Sequence, residues 1–203
     1  AYSADNNNVT ISATALSGIG NATTGIVTVS NAIKISGSQS DVTAALVTEA
    51  SKVNAGTALV TVSDAAYSAD NNNVTISATA LSAIGNATTG TVIVSNAVSI
   101  SGTTAEMIAA LITDSTKVEV TDASLNISDT PTSAQLTALD AVTTGNISYG
   151  SGGSGNNDDI TGTAAEVIYT LQSKSSDYTG NITITDAGGT SISAATLSTI
   201  GAA

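Results

Sequence analysis

The chain of 203 residues contains no cysteine, histidine, tryptophan, phenylalanine or arginine. Without cysteine there are no disulfides and no thiolate metal sites. The lack of histidine and arginine removes most nucleophile–base pairs and transition-metal sites, so we expect no catalytic residues and no enzyme activity. Five tyrosines are the only aromatic residues, whereas a single round core is normally filled by some bulky rings. These absences favour a thin, regular core of Ala, Val, Ile and Leu.

Positive charge is also scarce, because four lysines face sixteen acidic residues and give a net charge of −12. Such a surface repels phosphate backbones and anionic lipids, which argues against nucleic acid as a partner. No run approaches the roughly eighteen apolar residues that a membrane-spanning helix needs, so we expect no membrane insertion. Divalent cations are the natural counter-ions of this surface.

A repeated segment dominates what is present. Residues 1–25 return at residues 66–90 with one change, from Gly18 to Ala83. The pattern predicts one repeat array with units at about 1–32, 33–65, 66–97, 98–123, 124–159, 160–190 and a truncated 191–203. Because residues 1 and 203 both fall inside a unit, we expect the chain to be a segment of a longer protein.

Units of two kinds alternate along the array, and the longer kind begins its helix with a capping box. In that motif a Ser or Thr hydroxyl caps the helix while an acidic side chain three residues on reaches back. The pairs are Ser38 with Asp41, Thr103 with Glu106, and Thr163 with Glu166. Helical spacing then predicts that Leu46, Leu111 and Leu171 face the core.

The shorter kind of unit has a helix with only an i, i+3 apolar pair. The pairs are Leu16 with Ile19, Leu81 with Ile84, Leu136 with Leu139, and Leu197 with Ile200. We expect both members of each pair to face inward. Gly25, Gly90 and Gly145 are predicted to end these helices in the left-handed conformation.

Strands flank the helices and alternate with period two, which predicts Thr28, Thr61, Glu119 and Thr183 at the outer surface. Many strands end in an Asn or Asp followed by Ala. These residues favour bends by bonding the backbone two residues on. In a stack they would form a ladder at one corner, from Asn31, Asp64, Asn96, Asp122 and Asp186.

The fold class that follows is α/β, as a solenoid of stacked strand–helix–strand coils with parallel sheets and one helical face. Single units cannot bury their apolar faces alone, whereas a stack of near-identical units can. The alternative is a layered α/β domain of right-handed βαβ units.

The runs ISGTTAEMIAAL, ITGTAAEVIYTL and LTALDAVTTG resemble repeats in giant secreted or cell-surface proteins of cyanobacteria, often called haemolysin-like. The resemblance implies an extracellular, structural or adhesive protein without established catalytic residues. The calcium-binding nonapeptide repeat GGxGxDxxx that often accompanies such proteins is absent here in tandem.

Calcium binding is predicted instead at Asn- and Asp-rich segments, because carboxylate and amide oxygens suit a hard cation. The candidate metal residues are Asp5, Asp70, Asn156, Asp158 and Asp159. The alternative is that these are turn residues, since the same residue types tolerate unusual backbone angles.

The functional prediction is a structural repeat protein of an extracellular fibre, surface layer or adhesin stalk. Its partners would be other copies of itself, joined through the ends of the solenoid. One alternative is a calcium-assisted adhesion module that binds cell-surface glycans. Another is an ice-binding solenoid, against which the charge of Glu119 in the expected outer row counts.

Overall fold

A computed structural model describes residues 9–48, 53–66, 75–113, 116–129, 131–149, 160–172 and 180–202. Its helices are α1 Ala13–Asn21, α2 Gln39–Leu46, α3 Ala78–Asn86, α4 Thr104–Leu111, α5 Ser133–Asp140, α6 Ala164–Gln172 and α7 Ala194–Gly201. Its strands are β1 Thr10–Ser12, β2 Val27–Thr28, β3 Lys34–Gly37, β4 Val53–Asn54, β5 Leu59–Val62, β6 Thr75–Ser77, β7 Val92–Val94, β8 Ser99–Gly102, β9 Val118–Glu119, β10 Ser124–Ile127, β11 Ile147–Tyr149, β12 Ile160–Gly162 and β13 Ile182–Ile184.

Helix starts follow the predicted chemistry. An extended Ser or Thr precedes six of the helices and accepts a hydrogen bond from the backbone N–H three residues on. The complete capping box of Thr103 with Glu106 is confirmed. In α2 the hydroxyl of Ser38 accepts from the N–H of Asp41 and donates to its carboxylate. The side chain of Glu166 lies outside the described part of the chain.

The ends of the short helices differ from the prediction. The cap residues Ala22, Ala87 and Ala141 have φ values of −81°, −82° and −70°, so each turn closes in right-handed geometry. The predicted left-handed role of Gly25, Gly90 and Gly145 is therefore wrong. The positive-φ glycines of the described ranges are Gly56 and Gly189. Gly90 and Gly145 are required for another reason, which is their close approach to the backbone carbonyls of Ala58 and Ala123.

All strand pairs of the described residues are parallel and in register. A five-stranded sheet has the order β1-β3-β5-β7-β9, and a four-stranded sheet has the order β11-β10-β8-β6. Two further pairs are β2 with β4 and β12 with β13. Each of these strand pairs joins strands that are separated in the chain by a helix or a long connection. The fold is therefore α/β with parallel sheets.

Consecutive helices pack on one another, from α1 on α2 through to α6 on α7. Apolar side chains of the helices and of both larger sheets form one buried cluster, and a smaller cluster lies around α6 and α7. Leu46, Leu111 and Leu171 are all buried, as predicted. One residue predicted at the outer surface of the five-stranded sheet is buried instead. This residue is Thr61, which lies on the central strand β5 between the side chains of Ser36 and Ile93 on the same face.

Both members of an apolar pair are buried only in those short helices that have a neighbouring helix on each side. In α3 both Leu81 and Ile84 are fully buried. In α1 the residue Ile19 is 49% exposed, and in α7 Leu197 is 48% exposed, so these two predictions are wrong. The reason is that the Leu position faces the following helix and the Ile position faces the preceding one. No described helix precedes α1 in the chain, and none follows α7.

Candidate functional site

The predicted calcium residues cannot be placed, because Asp5, Asp70, Asn156, Asp158 and Asp159 lie outside the described residues. Within the described ranges, no group of three or more acidic side chains is arranged to hold a metal ion. Calcium binding therefore stays a prediction from the sequence.

The predicted corner ladder of Asn and Asp side chains takes a different form. Three aspartates that follow strands β5, β10 and β13 cap the long helix that lies before them in the chain rather than their own bends. Their carboxylates accept hydrogen bonds of 2.6 to 2.7 Å from the first backbone N–H of α2, α4 and α6. The pairs are Asp64 with Gln39, Asp129 with Thr104, and Asp186 with Ala164.

These long-range caps place a negative charge at the positive end of each long helix, which is favourable. One link of the expected ladder is also present, because the side-chain amide of Asn96 donates to the backbone carbonyl of Asp64 at 2.6 Å. The strand-end residues thus join neighbouring units instead of forming local turns.

A Thr-Thr-Gly turn follows each of the first three short helices, and the second and third of these turns provide the most specific contacts between units. In the turn at residues 88–90, the hydroxyl of Thr88 donates to the carbonyl of Ala58 at 2.7 Å. The backbone N–H of Thr89 donates to the carbonyl of Gly56 at 3.0 Å. The N–H of Gly90 donates back to the Thr88 hydroxyl, which closes the turn. Thr88 is buried by this contact.

The turn at residues 143–145 repeats these contacts two units further on. The Thr143 hydroxyl donates to the carbonyl of Ala123 at 2.6 Å, and the N–H of Thr144 donates to the carbonyl of Thr121 at 2.8 Å. Gly145 again donates to the first threonine. A side chain on Gly90 or Gly145 would overlap the acceptor carbonyl, so both sites require glycine for close approach.

The first Thr-Thr-Gly turn, at residues 23–25, has the same internal hydrogen bond but a different environment. The N–H of Gly25 donates to the hydroxyl of Thr23 at 3.0 Å. All three residues are exposed, and a side chain on Gly25 would contact only the Thr23 hydroxyl, at 3.5 Å. Its local shape therefore matches the other two turns, whereas the contact with a preceding strand is missing among the described residues.

A shallow groove lies between α3 and α4, with a volume of about 290 Å³. Glu106 lines it and accepts hydrogen bonds from the Thr103 backbone N–H at 2.7 Å and the Thr79 hydroxyl at 2.9 Å. These donors stabilise the carboxylate, so the pKa of Glu106 lies below its ordinary value, with the Thr103 backbone contributing most. The arrangement links α3 to α4 through a single carboxylate.

The four-stranded sheet presents an uncharged polar row. Ser77, Ser101, Asn126 and Ser148 lie in register on neighbouring strands, opposite the buried face of Ile76 and Ile100. Glu119, the charged member of the expected outer row, belongs to the five-stranded sheet instead.

A comparison with protein-family models, curated proteins and solved structures finds no match for this chain. None of the helices in the described ranges combines the length and apolar character that crossing a bilayer requires. The contacts between units are therefore the features from which a function can be argued.

Sequence reasoning identified the Thr-Thr-Gly segments only as helix stops. The signal for their real role is that Thr, Thr and Gly recur together after three helices, at residues 23, 88 and 143. A helix stop needs only the glycine, so the two preceding threonines indicate a further contact. The capping box of Thr132 with Gln135 in α5 was also missed, although its spacing is readable from the sequence.

Proposed function

We propose that the chain is a β/α-solenoid segment with a structural role in an extracellular fibre, surface layer or adhesin stalk. The observation that carries this proposal is the recurrence of one set of cross-unit hydrogen bonds. The turns at residues 88–90 and 143–145 bond the preceding unit in the same way, and both exclude any side chain at the glycine. Units joined by one repeated contact form an open array, whose length is set by the number of units.

The helix contacts support an open array over a closed layered domain. Consecutive helices pack on each other, and the Leu and Ile positions of the short helices face opposite neighbours. An inner helix of such an array is covered from both sides, as the full burial of Leu81 and Ile84 in α3 illustrates. The exposed large apolar residues of the described chain are Val9, Ile19, Ile26 and Leu197, all in the first and last units.

The extracellular setting rests on composition and on the resemblance to giant surface proteins. A strongly acidic chain without cysteine is unaffected by the redox state of its surroundings and stays dispersed through charge repulsion. Histidine, cysteine and arginine, which serve in many catalytic sites, are missing from the sequence. The proposed structural role therefore depends on the regular stack of units, and adhesion through the surface of the stack is compatible with that role.

Small-angle X-ray scattering tests the solenoid. A compact domain of 203 residues has a radius of gyration of about 17 Å. We expect a larger value, with a distance distribution skewed towards long distances as for a rod. A symmetrical distribution with a radius near the compact value would reject the solenoid. Negative-stain electron microscopy of concentrated protein then separates fibres, sheets and single particles.

Ice binding is a second candidate, favoured by the uncharged row of Ser77, Ser101, Asn126 and Ser148. Neighbouring members of such a row lie about 4.8 Å apart, which gives a flat, regularly spaced set of polar groups. Purified protein would then shape growing ice crystals, and Ser101→Lys would abolish the effect. Thr183→Lys on β13 is the control, because Thr183 is exposed outside this row. Round crystals with the unmodified protein would end this candidate.

A further inference from the structure

We propose that the groove between α3 and α4 binds the lysine side chain of a partner protein. In this arrangement the ammonium group contacts the carboxylate of Glu106, and the methylene groups lie against Ala83 and Ala109. The site is independent of the proposed structural function, because it needs only two packed helices and no association between copies of the chain.

Glu106 supplies the acceptor for the ammonium group. One of its carboxylate oxygens, Oε2, accepts from the backbone N–H of Thr103 at 2.7 Å and from the Thr103 hydroxyl at 3.0 Å. The other oxygen, Oε1, accepts from the Thr79 hydroxyl at 2.9 Å. Each carboxylate oxygen has two lone pairs, so Oε1 retains one for a further donor. Because Thr79 and Glu106 both line the groove, this oxygen lies at its edge.

The charges around the groove favour a cation. Its lining residues include one carboxylate and no lysine. Asp129 accepts from the first backbone N–H of α4 and adds a second negative charge at the same helix end. The ammonium group of Lys117 is bonded to the carbonyl of Thr89, in the turn after α3. With a net charge of −12, the chain as a whole is complementary to a basic partner.

The size and walls of the groove suit an alkyl chain. Its volume is about 290 Å³, which is at the lower limit of about 300 Å³ for small-molecule pockets. Ala83 and Ala109 provide an apolar wall on each helix, and Ser82 and Asn86 provide polar atoms along α3. A lysine side chain matches this combination, because its methylene groups pack on apolar surface while its ammonium group stays among polar atoms.

Lysine fits the remaining acceptor better than arginine does. The guanidinium fork makes two parallel hydrogen bonds and needs both oxygens of a carboxylate. In Glu106 the Oε2 atom already accepts two hydrogen bonds, so one position on Oε1 remains. An ammonium group needs only that position, and its other hydrogens can be donated to the oxygen atoms of Ser82 and Asn86.

The earlier copy of this helix pair carries the same polar side chains but a shorter acid. The corresponding residues are Thr14 with Thr79, Ser17 with Ser82, Asn21 with Asn86, and Asp41 with Glu106. The carboxylate of Asp41 accepts from the Ser38 hydroxyl at 2.7 Å, within its own helix start. We therefore assign the lysine site to the groove between α3 and α4, where the longer Glu106 bridges both helices.

Titration of the full chain with a capped peptide that contains one lysine tests the site by backbone-amide NMR. We expect shifts in α3 and α4, largest near Ala83 and Ala109, and none from the same peptide with its lysine acetylated. Glu106→Gln should raise the dissociation constant about fivefold, as the loss of one exposed ion pair allows. Glu119→Gln is the matched control, because it removes an equal charge from an exposed position on β9, outside the groove.

Ala83→Leu tests the apolar wall without a change of charge. The larger side chain fills the groove, so binding should be lost, whereas Ala134→Leu adds the same group at an exposed position on α5 and should bind unchanged. Circular dichroism melting shows that each variant folds. Equal losses in Glu106→Gln and Glu119→Gln, or unchanged binding by Ala83→Leu, would overturn the groove site. Shifts caused by spermidine but not by the lysine peptide would overturn the protein partner, and the scattering profile decides separately whether the solenoid stands.

Discussion

The isoleucines of α1 and α3 offer a direct measurement of what one neighbouring unit contributes to stability. Ile19 and Ile84 occupy the same position in helices whose sequences differ only at residue 18 or 83. Ile84 is fully buried and Ile19 is 49% exposed. Truncating each to Ala therefore changes helix propensity equally, and any difference in stability reports the packing of the preceding unit.

The expected difference follows from the exposed fractions. Replacing Ile with Ala removes three carbon atoms, worth about 0.8 kcal/mol each when fully buried, or about 2.4 kcal/mol in total. At half exposure the loss for Ile19→Ala is about 1.2 kcal/mol. Ile84→Ala also leaves a cavity, which brings its cost to about 2 to 5 kcal/mol. The two variants should thus differ by at least about 1 kcal/mol.

Urea unfolding followed by circular dichroism measures this difference. For a slope of about 2 kcal/mol per molar, it corresponds to a shift of about 0.5 M between the two midpoints. Because repeat arrays can unfold in segments, amide hydrogen exchange in α1 and α3 reports each unit separately. Equal losses in the two variants would refute the assignment of the Ile position to the preceding unit, and with it the argument for an open end at α1.

Other predictions test the contacts between and within units. Gly90→Ala and Gly145→Ala should each destabilise the fold by about 1 to 3 kcal/mol in thermal melts, because the added methyl group overlaps a backbone carbonyl. In the same assay Gly18→Ala should be neutral or stabilising by up to about 1 kcal/mol. Leu111→Ala should cost about 2 to 5 kcal/mol and the exposed Thr183→Ala less than about 0.5 kcal/mol in the same assay. The folded-state pKa of Glu106 is depressed, so the stabilisation from its carboxylate is present above the unfolded pKa of 4.5 and is lost as the pH falls through the folded pKa. The difference in melting temperature between the unmodified chain and Glu106→Gln should therefore narrow below pH 4.5. If the Asx-rich segments bind calcium, excess chelator should lower the melting temperature and added calcium should restore it; an unchanged curve would remove that prediction.

The sequence was informative wherever a structural feature is local. The capping box of Thr103 and Glu106 and the inward position of Leu111 depend on residues within one helix, and both were predicted correctly. The role of Gly90 could not be predicted, because it depends on a carbonyl that lies 32 residues earlier, at Ala58. The capping of α2 by Asp64 likewise spans 25 residues and requires the strand register. Local chemistry fixes an element, whereas contacts between units depend on how the elements are aligned.

The different exposure of Ile19 and Ile84 illustrates the same limit. The segments around Ile19 and Ile84 differ only in Gly18 and Ala83, and both have the same apolar pattern, so no local pattern distinguishes the exposed residue from the buried one. The difference arises from position in the array alone. Burial of Thr61 has a similar origin, because it depends on the side chains that two neighbouring strands place beside it.

The packing of helices on their chain neighbours has a consequence for inheritance. Residues 1–25 and 66–90 are nearly identical, and α2, the described helix between them, packs on α1 before it and on α3 after it. Recombination between the two matching stretches of the gene would delete or duplicate a block of 65 residues and rejoin the chain at an equivalent point. Because each unit meets the same kind of neighbour afterwards, the altered protein would still fold. We therefore expect selection to vary the length of such arrays by whole blocks, with point mutations concentrated where no neighbour is touched.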